Sequence, residues 1–255
     1  TTSANNFSQD LRLSIRGFGA RSSFGIRGIK IIVDGIPQTS PDGQTQLDNL
    51  PIGIMESLEV IRGPAANLYG NSSGGVITIN TISGDGQNKT NYKAIFGAYD
   101  YKSVMRLKTF NWNKTDLVVY YDTKESNGYR QFSGFKNSTI NLKLSHRFSE
   151  KSNLVYQLNS TNSPYAYDSG GLTIEEVKLD RTSARQRNID YKTKETVKHL
   201  KTGLSWSLDI NEKANIQSFA FYQHRDFYSL LPFGFGGIIS LDKDVFGFGS
   251  RLQNK

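Results

Sequence analysis

His146, His199 and His224 are the three imidazoles of the 255-residue chain, and they lie far apart in sequence. None belongs to a His-Glu-x-x-His or comparable ligand spacing, so the pattern offers no metal site. Cysteine is absent, which excludes thiol catalysis, a zinc–thiolate centre and a disulfide scaffold. Acidic residues are scattered, and no carboxylate pair can be nominated for hydrolysis. Gly17-Phe18-Gly19 lacks the third glycine of a dinucleotide fingerprint, and no Gly-Lys-Ser/Thr phosphate loop occurs. The residues hold no catalytic constellation, so neither an enzyme nor a resident cofactor or metal is expected.

The chemistry left is recognition, and the elements that must carry it fall into two parts. Residues 1–83 are rich in glycine, isoleucine and short turns. Residues 30–35 read as a buried strand ending in an Asp34-Gly35 turn, and 58–62 and 76–81 as two further strands. Between these two, Pro64 suits the first position of a short helix over 64–68. This is a small mixed α+β unit. Residues 84–89 are a turn-rich linker. Residues 90–255 are aromatic and alternating.

The alternation is clearest at Leu200, Thr202, Leu204, Trp206, Leu208 and Ile210, which share one face against Lys201, Gly203, Ser205, Ser207 and Asp209. Residues 140–148 repeat it. Such a strand has one apolar and one wet face. With 90–98, 101–110, 115–124, 152–162, 214–228 and 245–254, the spacing predicts eight strands. Several are long enough to cross a bilayer at a tilt. The segment 214–228 alternates poorly, because Phe219, Phe221 and Tyr222 all lie on it. Connections at 111–114, 150–152 and 211–213 are short, whereas 125–135, 164–193 and 230–244 are long. Short turns on one side and long loops on the other are a pattern of membrane β-barrels.

The formal net charge is +8, with 31 Lys+Arg against 23 Asp+Glu. No block of five like charges exists, and the scattered basic residues do not make a nucleic-acid footprint. No apolar run reaches the ~18 residues of a spanning helix. Abundant aromatics and glycine argue against disorder. The opening residues show no secretion signal, and both ends read as cut.

Three stretches carry a specific resemblance. They are Ser14-Ile15-Arg16-Gly17-Phe18-Gly19 with Ile31-Ile32-Val33-Asp34-Gly35-Ile36-Pro37, then residues 54–64 (Ile54 to Pro64), then Leu68-Tyr69-Gly70-Asn71-Ser72-Ser73-Gly74-Gly75-Val76-Ile77. In order and spacing they resemble the plug domain of TonB-dependent outer-membrane receptors. The strands after residue 90 look like the first strands of that family's barrel. The loop from Gly170 to Asn188 resembles, less specifically, a surface loop of siderophore-receptor members.

The resemblance implies a plug over 1–83, a linker over 84–89, and over 90–255 about eight antiparallel transmembrane strands of an incomplete barrel. Barrels of this class have 22 strands around a plugged lumen. It implies a bacterial outer-membrane receptor importing a ferric siderophore, with iron carried only as the chelate and with TonB as energy transducer. The TonB-contacting segment is expected N-terminal to Thr1, and nucleic acid is not a partner. Cobalamin, haem or oligosaccharide receptors are the alternatives, and a soluble all-β binding module or glycosidase is the rival from another class. A preceding signalling domain is a further variant of the family.

Arg16 and Arg62 correspond to plug arginines that pair with glutamates of the inner wall, which are expected beyond residue 255. A guanidinium suits that role because it stays charged and grips a carboxylate in a fork. Gly17, Gly35, Gly63, Gly70, Gly74 and Gly75 are the turn positions of the plug motifs. The ligand-facing loops implied are 19–25 and 39–45, with Gly19, Arg21, Ser22, Ser23, Asp42 and Gln44 as candidates. Tyr165, Tyr167 and Phe233 are expected to stack on the ligand from the long loops. Lys143, Arg147 and Lys201 are expected on the inner wall, where positive charge would focus an anionic chelate.

Overall fold

The computed structural model describes residues 13–20, 25–63, 70, 72–84 and 86–254. The expected helix at 64–68 and the candidates Arg21, Ser22 and Ser23 lie outside the described residues.

The N-terminal unit has six short strands: β1 (Ile26–Arg27), β2 (Ile29–Val33), β3 (Ile36–Pro37), β4 (Gln44–Thr45), β5 (Met55–Arg62) and β6 (Gly75–Thr81). β1 pairs with β4, and the other four form a sheet in the order β3-β2-β6-β5. β2 and β6 run parallel at its centre. Both faces of a central parallel strand are covered, which explains their unbroken apolar runs. Ile29, Ile31, Val33, Ile77 and Ile79 make the core with Ile26. β5 is the outer strand, and every residue on it is exposed.

Two tight turns fix the ends of this unit. Arg16 (φ 50°) and Gly17 (φ 85°) form a two-residue turn closed by reciprocal bonds between Ile15 and Phe18. Asp34 (φ 46°) and Gly35 (φ 82°) join β2 to β3 in the same way. Two successive positive φ values are the signature of a type I′ hairpin, the connection that matches strand twist.

The C-terminal unit is one antiparallel sheet of eight strands, each paired to its sequence neighbours. They are β7 (Thr90–Gly97), β8 (Tyr101–Trp112), β9 (Thr115–Ser126), β10 (Phe135–Ser149), β11 (Ser152–Tyr167), β12 (Lys194–Asn211), β13 (Ala214–Leu230) and β14 (Ile238–Asn254). The poorly alternating β13 resolves cleanly. Phe219 and Phe221 share the inner face, opposite Gly249 and Gly247 on β14. A methyl group on either glycine would meet the facing ring at 2.7 and 2.3 Å respectively. Bare glycine opposite an aromatic ring is a known way to pin strand register.

The wall is inverted relative to a water-soluble core. On β12 the inner-facing His199 and Lys201 are buried, whereas outward Leu204 is 46% exposed and Trp206 37%. A soluble sandwich would bury those apolar side chains, so the rival reading fails here.

Several strands run longer than the sequence reading gave them. β14 begins at Ile238, which shortens the last loop to 231–237, and β10 and β11 extend to Phe135 and Tyr167. The connection 98–100 is short, as the expected strands imply, although it lies beside the long-loop ends, where Asn127 N–H donates to Tyr99 C=O. The long loop 168–193 contains two helices, α1 (Ile174–Leu179) and α2 (Gln186–Asp190). α1 starts with a full capping box between Thr173 and Glu176, a local signal in Thr-x-x-Glu that satisfies two orphan backbone donors.

Candidate functional site

The site is the seam where the N-terminal unit rests on the inner face of the wall. Its first element is the β2–β3 turn. Asp34 accepts from the Thr81 backbone N–H (2.9 Å) and hydroxyl, and from Lys143 Nζ of β10 (3.0 Å). Lys143 also donates to the Thr81 carbonyl (3.0 Å). Gln157 of β11 donates to the Asp34 carbonyl (3.2 Å). Both charged side chains of this pair are only 10% exposed.

The second element is the loop between β4 and β5. Arg225 of β13 grips Asp48 through both guanidinium nitrogens, at 3.2 and 2.7 Å. Beside it, Asn49 Nδ2 donates to His199 Nε2 at 2.7 Å, in a fully buried position. Lys201 donates to the Pro37 carbonyl and to Gln38 Oε1 (3.0 Å). At the outer margin Lys243 pairs with Asp42 at 2.9 Å. Partial burial raises the Asp42 carboxyl, but the Lys243 ammonium, the Gln44 N–H and Arg27 outweigh it and hold it below its ordinary value.

Shape completes the seam. Gly203 on β12 leaves a bare patch that Ile36 of β3 fills, with Ile36 Cδ1 2.6 Å from where a Cβ would stand. Gly53 likewise admits the Tyr120 phenol of β9. Acid on the seated unit and base on the wall recur in all three ion pairs. In the two buried pairs, Asp34–Lys143 and Asp48–Arg225, removing one partner leaves an uncompensated charge.

The sequence-derived candidates divide. Arg16 and Arg62 are exposed and make no ion pair among the described residues. Gly17, Gly35, Gly63, Gly70 and Gly75 all take positive φ. Gly74 does not; it is needed for space, since a Cβ there would stand 2.5 Å from Phe18. Gly19 sits at φ 87° in the turn that follows Phe18. Asp42 and Gln44 lie at the β4 end, with Asp42 tied to the wall.

Two expectations are corrected. Tyr165 and Tyr167 lie on strand β11, stacked at 5.1 Å, and share the outward face because Ala166 between them is buried. They cannot stack on a ligand inside. Lys143 and Lys201 face inward as expected, but their ammonium groups are consumed by the seam and are not free to attract a ligand. Phe233 does lie in the 231–237 loop, stacked on the Arg187 guanidinium at 5.6 Å.

Asp34, Asp48, Asn49, Arg225 and Lys243 were missed as seam residues. Inner-face parity could have found Arg225 and Lys243. It was hidden by the aromatic run on β13 and by a β14 start placed seven residues late.

Comparison with known proteins follows this geometry. Residues 1–76 match the family model described as TonB-dependent Receptor Plug Domain. A vitamin B12 transporter from Vibrio vulnificus is 29% identical over 163 residues, covering 56% of this chain and 27% of its own length. The ferrienterobactin receptor of Escherichia coli is 32% identical over 116 residues, covering 41% of this chain and 15% of its own. The unliganded ferric citrate transporter FecA shares the fold with a TM-score of 0.72 at 18% identity, over 99% of this chain and 40% of that one. This family comprises receptors and transporters, not enzymes. The chain thus spans about a quarter of the length of the Vibrio relative; its residues 1–76 match the plug domain of TonB-dependent receptors, and the chain as a whole shares the fold of a plug followed by antiparallel strands of the barrel wall that holds it.

Proposed function

We propose that the complete receptor imports a ferric siderophore across the bacterial outer membrane, with the plug gating the lumen and TonB supplying the force. The observation that carries this reading is the seam itself. A polar, ion-paired inner face grips a folded plug while the opposite face of the same strands is apolar and bare. That distribution suits a wall between lipid and a blocked aqueous lumen. Iron in this scheme is cargo inside a chelate, not a ligand of protein side chains.

Siderophore is favoured as substrate class because the ferric citrate transporter and the ferrienterobactin receptor are among the similar proteins. The stacked Arg187 in the outer loops supports an anionic chelate, since a guanidinium on an aromatic face still presents its N–H edge. Arg16 and Arg62, exposed on the plug, are assigned to glutamates of wall strands outside this chain. Vitamin B12 is the second reading, on the strength of the Vibrio transporter.

Deletion of the receptor gene, followed by growth on single iron or cobalamin sources, decides between them. Growth lost on one ferric siderophore and restored by the gene supports the proposal. Loss only under cobalamin dependence moves the assignment to the second reading, and unchanged growth on every source refutes import.

A further inference from the structure

The outward face of β8 carries two cations that no protein group neutralises. Ser103 and Thr109 are buried against the inside, so the alternate positions Val104, Arg106, Lys108, Phe110 and Trp112 point the other way. Among the described residues, neither Arg106 nor Lys108 makes an ion pair or a hydrogen bond. Each lies over an aromatic ring instead. The Arg106 guanidinium is 5.3 Å from the centre of Tyr92, which stands directly opposite it near the start of β7. Lys108 Nζ is 4.4 Å from the centre of Phe110, two positions nearer the 113–114 turn. Phe110 is stacked in its turn on Trp112 at 5.5 Å.

The surrounding face offers no counter-ion. Among the described residues, the one acid on the outward sides of β7, β8 and β9 is Glu125, at the opposite end of β9, and Lys102 and Lys136 already hold it. The short turn below adds Lys114 with no acid beside it, whereas the other two short turns set Glu150 next to Lys151 and Glu212 next to Lys213. Positive charge therefore collects at β8. A cation on the lipid side of such a wall is costly at mid-depth and tolerated at the interface, which girdles of aromatic residues mark. A long stem carries its charged head toward that polar layer. The lean of Lys108 toward the turn, together with exposed Tyr92 and Trp112, fits the edge of the apolar band on the short-turn side.

We propose that Arg106 and Lys108 bind the phosphate of an anionic phospholipid in the leaflet on the short-turn side of the wall. Alternate residues of one strand stand about 7 Å apart, so both heads reach a single phosphate. A guanidinium lying on a ring keeps its N–H edge free for two phosphate oxygens, and the ammonium adds a point charge. Tyr92 and Trp112 border the site with surface suited to the upper acyl chains. The inference rests on the reading of these strands as a membrane wall and on no particular imported substrate.

The test is native mass spectrometry of the complete receptor in detergent, titrated with phosphatidylglycerol or phosphatidylcholine. Wild type is expected to bind phosphatidylglycerol more tightly by about tenfold, given the gain expected from two basic side chains at an anionic lipid surface. Arg106→Gln with Lys108→Gln is expected to abolish the preference, and each single variant to lower it partway, so the result does not hang on one variant folding. Lys102→Gln, which removes a cation of the same face already paired with Glu125, is expected to keep it. Equal phosphatidylglycerol affinity in wild type and the glutamine variants of Arg106 and Lys108 would overturn the site; that is the outcome if a carboxylate of the neighbouring wall strand takes both cations. An equal loss in Lys102→Gln would overturn it too. The growth assay reports on import separately, so either result can fail alone.

Discussion

Arg225 and Asp48 are the residue-scale key to plug seating. Their side chains are 10% and 5% exposed, so removing either leaves a buried charge without its counter-ion. Arg225→Ala should destabilise plug docking by about 3–5 kcal/mol. The double variant with Asp48→Ala should recover part of that loss, read as a positive coupling in a double-mutant cycle of thermal unfolding. Asp42 and Lys243 behave differently because both are well exposed, and an exposed pair contributes about 0–1 kcal/mol. The Asp42 carboxyl is held below its ordinary value. Its contribution is therefore complete above the ordinary carboxylate range and is lost as pH falls through the lowered value. Wild type and Asp42→Asn should differ in unfolding temperature at neutral pH and converge in strong acid. A difference that persists there would contradict the assignment.

At the scale of elements, plug and wall fit through positions where one side has no side chain. Ile36 enters the space over Gly203, whose Cβ position is also 3.1 Å from the Ala220 carbonyl and 3.2 Å from Phe221. With backbone on one side and a ring on the other, a branched side chain there has no room to turn aside. Gly203→Val should cost about 1–3 kcal/mol, the range for overpacking, and should show as a lowered unfolding temperature of the complete receptor. Unchanged stability would mean that the plug shifts freely over β12, contrary to the bonds on either side of it. The β11–β12 loop is a separate element, braced by Arg130, which donates to the Gly170 and Ser183 carbonyls. That contact joins two outer loops into one body.

At the scale of the molecule, the sheet is an open arc. β7 and β14 are its edges, with unpaired backbone groups along one side of each, and open edges cannot persist in hydrocarbon. The 255-residue piece reconstituted alone in liposomes should neither insert stably nor pass solute. Protease-resistant insertion with solute flux from this piece would refute that. The seated unit has an open edge of its own in β5, which is exposed along its whole length.

Periodicity alone was enough for the existence of the eight strands and for the two faces of β10 and β12, because a two-residue repeat is a local property of the chain, but not for the faces of β13, where Phe219, Phe221 and Tyr222 blur the repeat. The motifs around Arg16, Asp34-Gly35 and Gly74-Gly75 sufficed for the plug, because tight turns and close approaches demand particular residues. Strand ends were less legible: β14 begins in Ile238-Ile239, ahead of an acidic stretch that reads as loop. The seam was out of reach. Lys143 meets Asp34 across 109 positions and Arg225 meets Asp48 across 177, and no local pattern encodes which buried charge faces which. Only the docking of two units in space decides that, since a buried charge takes the partner the fold brings to it.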